Sequence, residues 1–391
     1  MKIKDYVVNE REFIINKRKY YHMHPEASLK EYNTAKDIEQ ELDKFGIEHK
    51  RIGDTGILAS IKGNKVSDKI IALRCDIDAL NIQDAKDVPY RSKVDGVTHA
   101  CGHDGHTASL LAAAKILNEK KAEFGGEIRF FFQQAEEIGQ GARVFIKEGA
   151  LDNVERILGY HVTPNLNVGE AAVVPGAIRA SCDYFKVTVK GESAHVSTPH
   201  KGIDALYIGS QIVTNLQSIV SRHTDPLDTV VVGIGVMKAG TQYNAVASEA
   251  ILEGTTRAYS IESRNKTNKL VTEISKNIAS TYGADAEVEF LDYASPVIND
   301  KQVCLETVKV AERILERENI VTDGLKTLGA DDFAEYLLKV PGAYIQVGTR
   351  NNQKPDTCSP LHGTCFDLDE EGLLAAVNIL VDYALNYLKV E

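Results

Sequence analysis

The stretch Ile70-Ile71-Ala72-Leu73-Arg74-Cys75-Asp76-Ile77-Asp78 reads as a buried strand that ends at two carboxylates. The elements after it repeat the pattern. Residues 106–119 are helical by apolar periodicity. Glu127-Ile128-Arg129-Phe130-Phe131-Phe132 is another strand, running into Gln134-Ala135-Glu136-Glu137. A short helix is expected over residues 141–148, and Arg156-Ile157-Leu158-Gly159-Tyr160 forms a strand that ends at His161. Strands alternating with helices predict an α/β domain whose central sheet is mainly parallel, with helices on both faces. Asp76, Asp78, Glu136, Glu137 and His161 would all then lie at carboxyl ends of strands, the edge at which open α/β sheets hold ligands.

The pattern changes near Asp183. Tyr184-Phe185-Lys186-Val187-Thr188-Val189 alternates as a half-buried strand does. A helix over 202–221, strands over 229–237 and 245–258, a helix over 263–282 and a strand over 286–290 follow. The order β-α-β-β-α-β is that of a ferredoxin-like α+β sandwich. The expected organisation is therefore a discontinuous catalytic domain, 1–183 and 299–391, interrupted by a satellite domain at 184–298. In the returning segment a strand is expected at 343–347 and a helix at 370–388, with His362 between them.

Composition narrows the function. At 391 residues the chain exceeds what one core usually supports, and its 43% hydrophobic content allows sizeable cores. A net charge of -11, with no Lys/Arg cluster, argues against a phosphate-binding surface and hence against nucleic acid as a partner. The longest apolar run, Leu110-Leu111-Ala112-Ala113-Ala114, falls far short of the ~18 residues of a membrane span, so no membrane association is expected. The N-terminus has no apolar segment of the signal-peptide kind, and six scattered cysteines (75, 101, 182, 304, 358 and 365) form no disulfide framework. A cytoplasmic, reduced protein is the expectation.

The chemistry concentrates in Thr98-His99-Ala100-Cys101-Gly102-His103-Asp104-Gly105-His106-Thr107, one thiol, three imidazoles and a carboxylate among small residues. Thiolate and imidazole together favour borderline transition metals such as zinc, and Cys-x-His spacing lets two ligands reach one ion. A lone Cys or His is usually structural, and Glu-Glu pairs are common on solvated faces. The coincidence of such a cluster with a Glu pair leaving an apolar strand is much rarer. Adjacent carboxylates there can supply a metal ligand and a proton shuttle together.

Several segments together resemble the aminoacylase-type dinuclear metallopeptidase superfamily, and within it the hippurate and auxin-conjugate (IAA–amino acid) amidohydrolases. The matching pieces are His22-Met23-His24-Pro25-Glu26, Arg74-Cys75-Asp76-Ile77-Asp78-Ala79-Leu80, His99-Ala100-Cys101-Gly102-His103-Asp104-Gly105-His106, Gln134-Ala135-Glu136-Glu137, Gly159-Tyr160-His161, Gly191-Glu192-Ser193-Ala194-His195, Gly329-Ala330-Asp331-Asp332-Phe333 and Leu361-His362. They span nearly the whole chain in the family's order. Departures are small: Asn81 stands where Pro is usual, Thr98 where Met is common, and Gly-Thr-Cys follows His362.

The resemblance implies hydrolysis of an N-acyl amino acid to a carboxylic acid and a free amino acid through a metal-bound water. It implies two divalent ions, manganese or zinc, held by Cys101, His103, Glu137, His161 and His362. Glu136 would be the general base, and Asp78 would orient the site. Arg257 would bind the substrate carboxylate and Asn244 would touch substrate. His195 would stabilise the tetrahedral oxyanion, across the interface of a homodimer built through the satellite domain. Dipeptidase or carboxypeptidase activity, N-acetyl-diaminopimelate deacetylation, and a non-catalytic metal-dependent binding role are the alternatives. The last would require loss of the base or of a ligand, and all are present.

Overall fold

In the computed structural model, which describes residues 1–390, the chain forms two compact units. One comprises Met1–Gly176, Ile298–Leu325 and the segment from Asp332 onward; the other comprises Ala177–Val297 and Lys326–Asp331.

The first unit is built on an eight-stranded sheet. Its centre is four parallel strands in the order Gly125–Gln133, Lys65–Asp76, Arg156–Asn167, Gly342–Arg350. The expectation of a mainly parallel sheet describes this centre. The sheet as a whole is mixed, because a hairpin of Glu48–Ile52 and Gly56–Lys62 adds antiparallel to the Gly125–Gln133 edge. The three-residue Gly53-Asp54-Thr55 link joins the two hairpin strands, and a link that short can only reverse the chain. On the far side the two-residue strand Ala171–Ala172 pairs antiparallel with Gly342–Arg350.

Side chains alternate across a strand, and the Gly125–Gln133 strand shows both faces covered. Phe130 and Phe132 join the core formed with the helices Tyr32–Phe45, His103–Glu119 and Glu371–Tyr387. Phe131, between them, meets Phe145 of the Gly141–Lys147 helix and Tyr336 of the Phe333–Leu337 helix, with ring centroids 5.2 and 5.6 Å away. The Phe130, Phe131 and Phe132 side chains are all fully buried. The strand through His161 runs to Asn167, so His161 lies within it and not at its end.

Under the sheet edge a buried ion network ties the strands together. Arg74, wholly buried, donates to Asp76 at 2.6 Å, Asp332 at 2.9 Å and Gln133 at 2.9 Å. The buried guanidinium charge is thereby compensated by carboxylates and an amide within hydrogen-bond distance.

The second unit holds a four-stranded antiparallel sheet in the order Asp285–Ala294, Cys182–Lys190, Glu249–Ala258, Val230–Ala239. The helices Ala205–Leu216 and Ile261–Thr281 pack on it around Phe185, Val187, Ile208, Ile212, Leu252 and Val271. The element order is β-α-β-β-α-β. The first helix is shorter than its apolar pattern suggests. It stops at Leu216, and a π turn over Ile219–His223 follows.

Candidate metal and catalytic centre

The centre is assembled where strands of the first unit end. The strand Lys65–Asp76 delivers Asp76 and, two residues on, Asp78. After Gln133 the chain turns through Ala135, whose left-handed backbone (φ 54°) leads into a single 3-10 turn, Glu136–Ile138. Both glutamates are thereby presented from one short turn. Cys101 and His103 flank Gly102, whose φ of +87° starts the helix His103–Glu119; a Cβ there would lie 2.4 Å from Val162 Cγ2. Glycine is thus required at this position for both backbone and space. His362 arrives on a loop whose backbone N–H donates to Ala100 O at 2.8 Å, next to Cys101.

Seven of the ten residues singled out in the sequence converge here. Two groups of donor atoms, each within 4.8 Å of one another, share the Cys101 thiol: Cys101, His103 and His161, and Cys101, Glu137 and His362. A third group is His103, Glu136 and Glu137. Cys101 Sγ lies 3.4 Å from His161 Nε2, and His362 Nε2 lies 3.7 Å from Glu137 Oε2.

Hydrogen bonds set which histidine nitrogens face inward. His103 Nδ1 donates to Asp78 O at 2.9 Å and His161 Nδ1 to Val162 O at 2.6 Å, which turns the Nε2 of each ring toward the Cys101 cluster. His106 differs. It accepts Val162 N–H on Nε2 at 3.0 Å and donates from Nδ1 to Asp76 at 2.6 Å, so both its nitrogens are committed and it serves as scaffold. Asp104 is likewise committed, to Arg18 at 3.0 Å and His22 at 2.7 Å.

The donor set fits a divalent cation. His103 Nε2 and Glu137 Oε1 are buried, 3.8 Å apart, and neither has a hydrogen-bond partner. A cation bonded to each at about 2.0–2.2 Å would satisfy both. Burial, then the neighbouring Glu137, pushes the Cys101 thiol up, and burial pushes Glu137 up to about 7. Burial opposes charge on His103, yet Asp76 and the Asp78 hydrogen bond outweigh it and hold that imidazole well above its usual range. A metal ion binding to such ligands would displace those protons.

Asp78 supports the turn. Its Oδ1 accepts Glu136 N–H at 3.2 Å, and its Oδ2 accepts Glu137 N–H at 3.0 Å and Ser28 Oγ–H at 2.7 Å. Sequence reading passed over two residues of this neighbourhood. Ser28 is one. The other is Glu31, fully buried, which accepts Ala135 N–H at 2.9 Å and Thr55 Oγ–H at 2.7 Å. Burial, then Asp78, pushes Glu31 up to about 7. A Glu between Lys30 and Tyr32, in Leu29-Lys30-Glu31-Tyr32, carries no local signal of burial.

The remaining three residues belong to the second unit. His195 is exposed; its Nδ1 accepts Ser197 N–H at 3.1 Å, which places the proton of the neutral ring on Nε2. Asn244 is exposed, and its carbonyl accepts Val196 N–H at 3.1 Å. Arg257, half-buried, donates to Thr256 O at 3.0 Å and to Thr255 Oγ1.

Residues 72–386 match the family described as Peptidase family M20/M25/M40. Among curated relatives, N-acetylcysteine deacetylase of Bacillus subtilis is 38% identical over 374 residues, covering 95% of this chain and 96% of its own. Thermostable carboxypeptidase 2 of Saccharolobus solfataricus is 37% identical, covering 95% and 94%. IAA-amino acid hydrolase ILR1-like 4 of Arabidopsis thaliana is 33% identical, covering 96% and 86%. Among solved structures, the Bacillus subtilis YXEP protein, described as a dinuclear metal binding peptidase from the M20 family, superposes with a TM-score of 0.84 at 35% identity, covering 97% of this chain and 99% of that one.

Proposed function

Since the chain belongs to the M20/M25/M40 peptidase family and is a metal-dependent amide hydrolase, we propose that its substrates are N-acyl amino acids, cleaved to a carboxylic acid and a free amino acid. The observation that carries this reading is the pair of donor groups sharing Cys101, with the Glu136 carboxylate 3.9 Å from His103 Nε2. Cys101, His103, Glu137, His161 and His362 would hold two cations, manganese or zinc. Such ions supply Lewis acidity to the scissile carbonyl and to the attacking water.

The chain's own residues do the rest. Glu136 takes the proton of the attacking water and passes it to the leaving amide nitrogen, a transfer that general acid–base groups typically accelerate ~10²–10⁴-fold. Asp78 holds the turn that aims Glu136 and Glu137. Arg257 forms a planar fork suited to a substrate carboxylate, with Asn244 beside the substrate. His195 presents an Nε2–H donor for the developing oxyanion, acting across a homodimer that pairs through the satellite domain, residues 184–298. Removal of one such donor typically costs ~10²–10³ in turnover. The relatives include both deacetylases and carboxypeptidases, and a free α-amino group on the acyl side separates the two activities.

Hydrolysis of acetyl, benzoyl, succinyl and indolyl amino acids is compared with that of unblocked dipeptides, with manganese and with zinc. Cleavage of one blocked series above the dipeptides is expected. Preference for dipeptides, or no cleavage at all, would overturn the substrate assignment. For the dimer, inactive H195A and E136Q chains are mixed under subunit exchange; recovered activity is expected, and none with exchange confirmed would place His195 outside a shared site.

A further inference from the structure

The turn that carries Glu136 and Glu137 is held by two buried carboxylates, of which Asp78 is only one. Three consecutive backbone N–H groups are taken in sequence: Ala135 by Glu31 at 2.9 Å, Glu136 by Asp78 Oδ1 at 3.2 Å and Glu137 by Asp78 Oδ2 at 3.0 Å. Successive N–H groups converging on anions in this way form a concavity of fixed backbone shape. Ala135 is the hinge of that shape. Its φ of 54° and ψ of 38° lie in the left-handed region, which a Cβ disfavours and which persists only when the surroundings impose it. Ala135 and Glu31 are both fully buried, so this N–H has no solvent to turn to.

Glu31 reaches this contact in place of capping its own helix. It occupies the N-cap position of the helix Tyr32–Phe45, where a side chain would ordinarily accept from its own helix, yet it makes no capping bond. Its other oxygen is fixed by Thr55 Oγ–H at 2.7 Å, from the link of the antiparallel hairpin. The carboxylate is thus clamped at one end and spent on Ala135 at the other.

We propose that Glu31 is a positioning residue of the hydrolytic centre: by accepting Ala135 N–H it locks the left-handed hinge and so sets where the Glu136 and Glu137 carboxylates stand. The assignment rests on the reading of those two residues as base and metal ligand. It makes the start of the helix Tyr32–Phe45 and the edge hairpin working parts of the centre, although neither supplies a ligand.

Two conservative variants separate reach from charge. E31D keeps the carboxylate but is one methylene too short for Ala135, whereas E31Q keeps the reach and the acceptor oxygen but not the charge. Metal-free protein is titrated with Co2+ followed by visible absorbance, and the Mn2+-loaded enzyme is assayed on an N-acetyl amino acid. E31D is expected to weaken Co2+ binding at least about tenfold and to lower kcat by a similar factor with KM changed less than about twofold, a loss the size of one hydrogen bond to a charged group. E31Q is expected within about threefold of wild type in both. Because glycine adopts the left-handed region freely, adding A135G to E31D should restore at least half of the lost affinity on a logarithmic scale.

Wild-type Co2+ affinity in E31D would overturn the proposal, as would equal damage in E31Q and E31D or no rescue by A135G. A wild-type chain that takes up no Co2+ at all would instead sink the functional reading beneath it.

Discussion

Asp78→Asn is a near-isosteric change whose cost can be worked from the contacts. Every group facing the Asp78 side chain is a donor: Glu136 N–H at 3.2 Å, Glu137 N–H at 3.0 Å and Ser28 Oγ–H at 2.7 Å, with His103 Nδ1 at 3.4 Å. A carboxylate, which only accepts, matches them all. An asparagine amide in either orientation turns its NH2 toward one of the two backbone N–H groups. One charge-assisted hydrogen bond is lost, about 1.5–3 kcal/mol, and one buried N–H is left unsatisfied, about 1–3 kcal/mol. The two overlap, so about 3–4 kcal/mol is expected, which is roughly two to three orders of magnitude in an equilibrium constant. Since both N–H groups belong to the glutamate turn, the loss should fall on Mn2+ affinity, measured by calorimetry on metal-free protein, and on kcat. D78N with Mn2+ affinity and kcat within about threefold of wild type would refute the role given to Asp78.

The same substitution has a pH signature. Burial raises the Asp78 pKa, but the His103 and Ser28 hydrogen bonds and the Glu137 N–H outweigh it, and the net direction is down. A depressed folded-state pKa contributes stability above the unfolded value, ~3.9, and loses it as pH falls through the folded value. The stability gap between wild type and D78N, read by denaturant unfolding, should therefore be full at pH 7 and shrink below about pH 4. A gap that widens on acidification would contradict the assignment.

Four further substitutions probe the rest of the centre. E136Q should retain bound metal yet lose about 10²–10⁴ in kcat, whereas E137Q should lose metal affinity; equal metal content in the two variants would refute that division. R257A should weaken kcat/KM roughly tenfold to a hundredfold for substrates with a free carboxylate and spare their methyl esters, and equal losses would rule out a carboxylate clamp. G102A places a Cβ 2.4 Å from Val162 Cγ2 at a φ of +87°, so about 2–4 kcal/mol of destabilisation is expected from strain and overpacking together, and denaturation at the wild-type midpoint would show that the loop relaxes.

Much of the centre was legible from local pattern. The run Ile70–Cys75 ending in Asp76 and Asp78, the Phe130-Phe131-Phe132 strand ahead of Glu136 and Glu137, and the Cys-x-His spacing each report a property of a few neighbouring residues: which side is buried, where an element stops, which donors one ion could reach. Hydrophobic periodicity encodes that directly, and the β-α-β-β-α-β order of the second unit follows from it as well. What the pattern could not say is which strand lies beside which. Charged Glu48-His49-Lys50-Arg51 hides an edge strand, and the strand Gly56–Lys62 pairs with Gly125–Gln133 and not with the strand that follows it in sequence. The strand through His161 likewise runs on to Asn167 because its neighbour Gly342–Arg350 continues to pair with it. Glu31 is the sharpest case. Its partners Thr55 and Ala135 lie 24 and 104 residues away, and no spacing rule links them. Their meeting is decided when the sheet closes and strands bring those distant backbones together, because a buried N–H must find an acceptor wherever the packed chain supplies one.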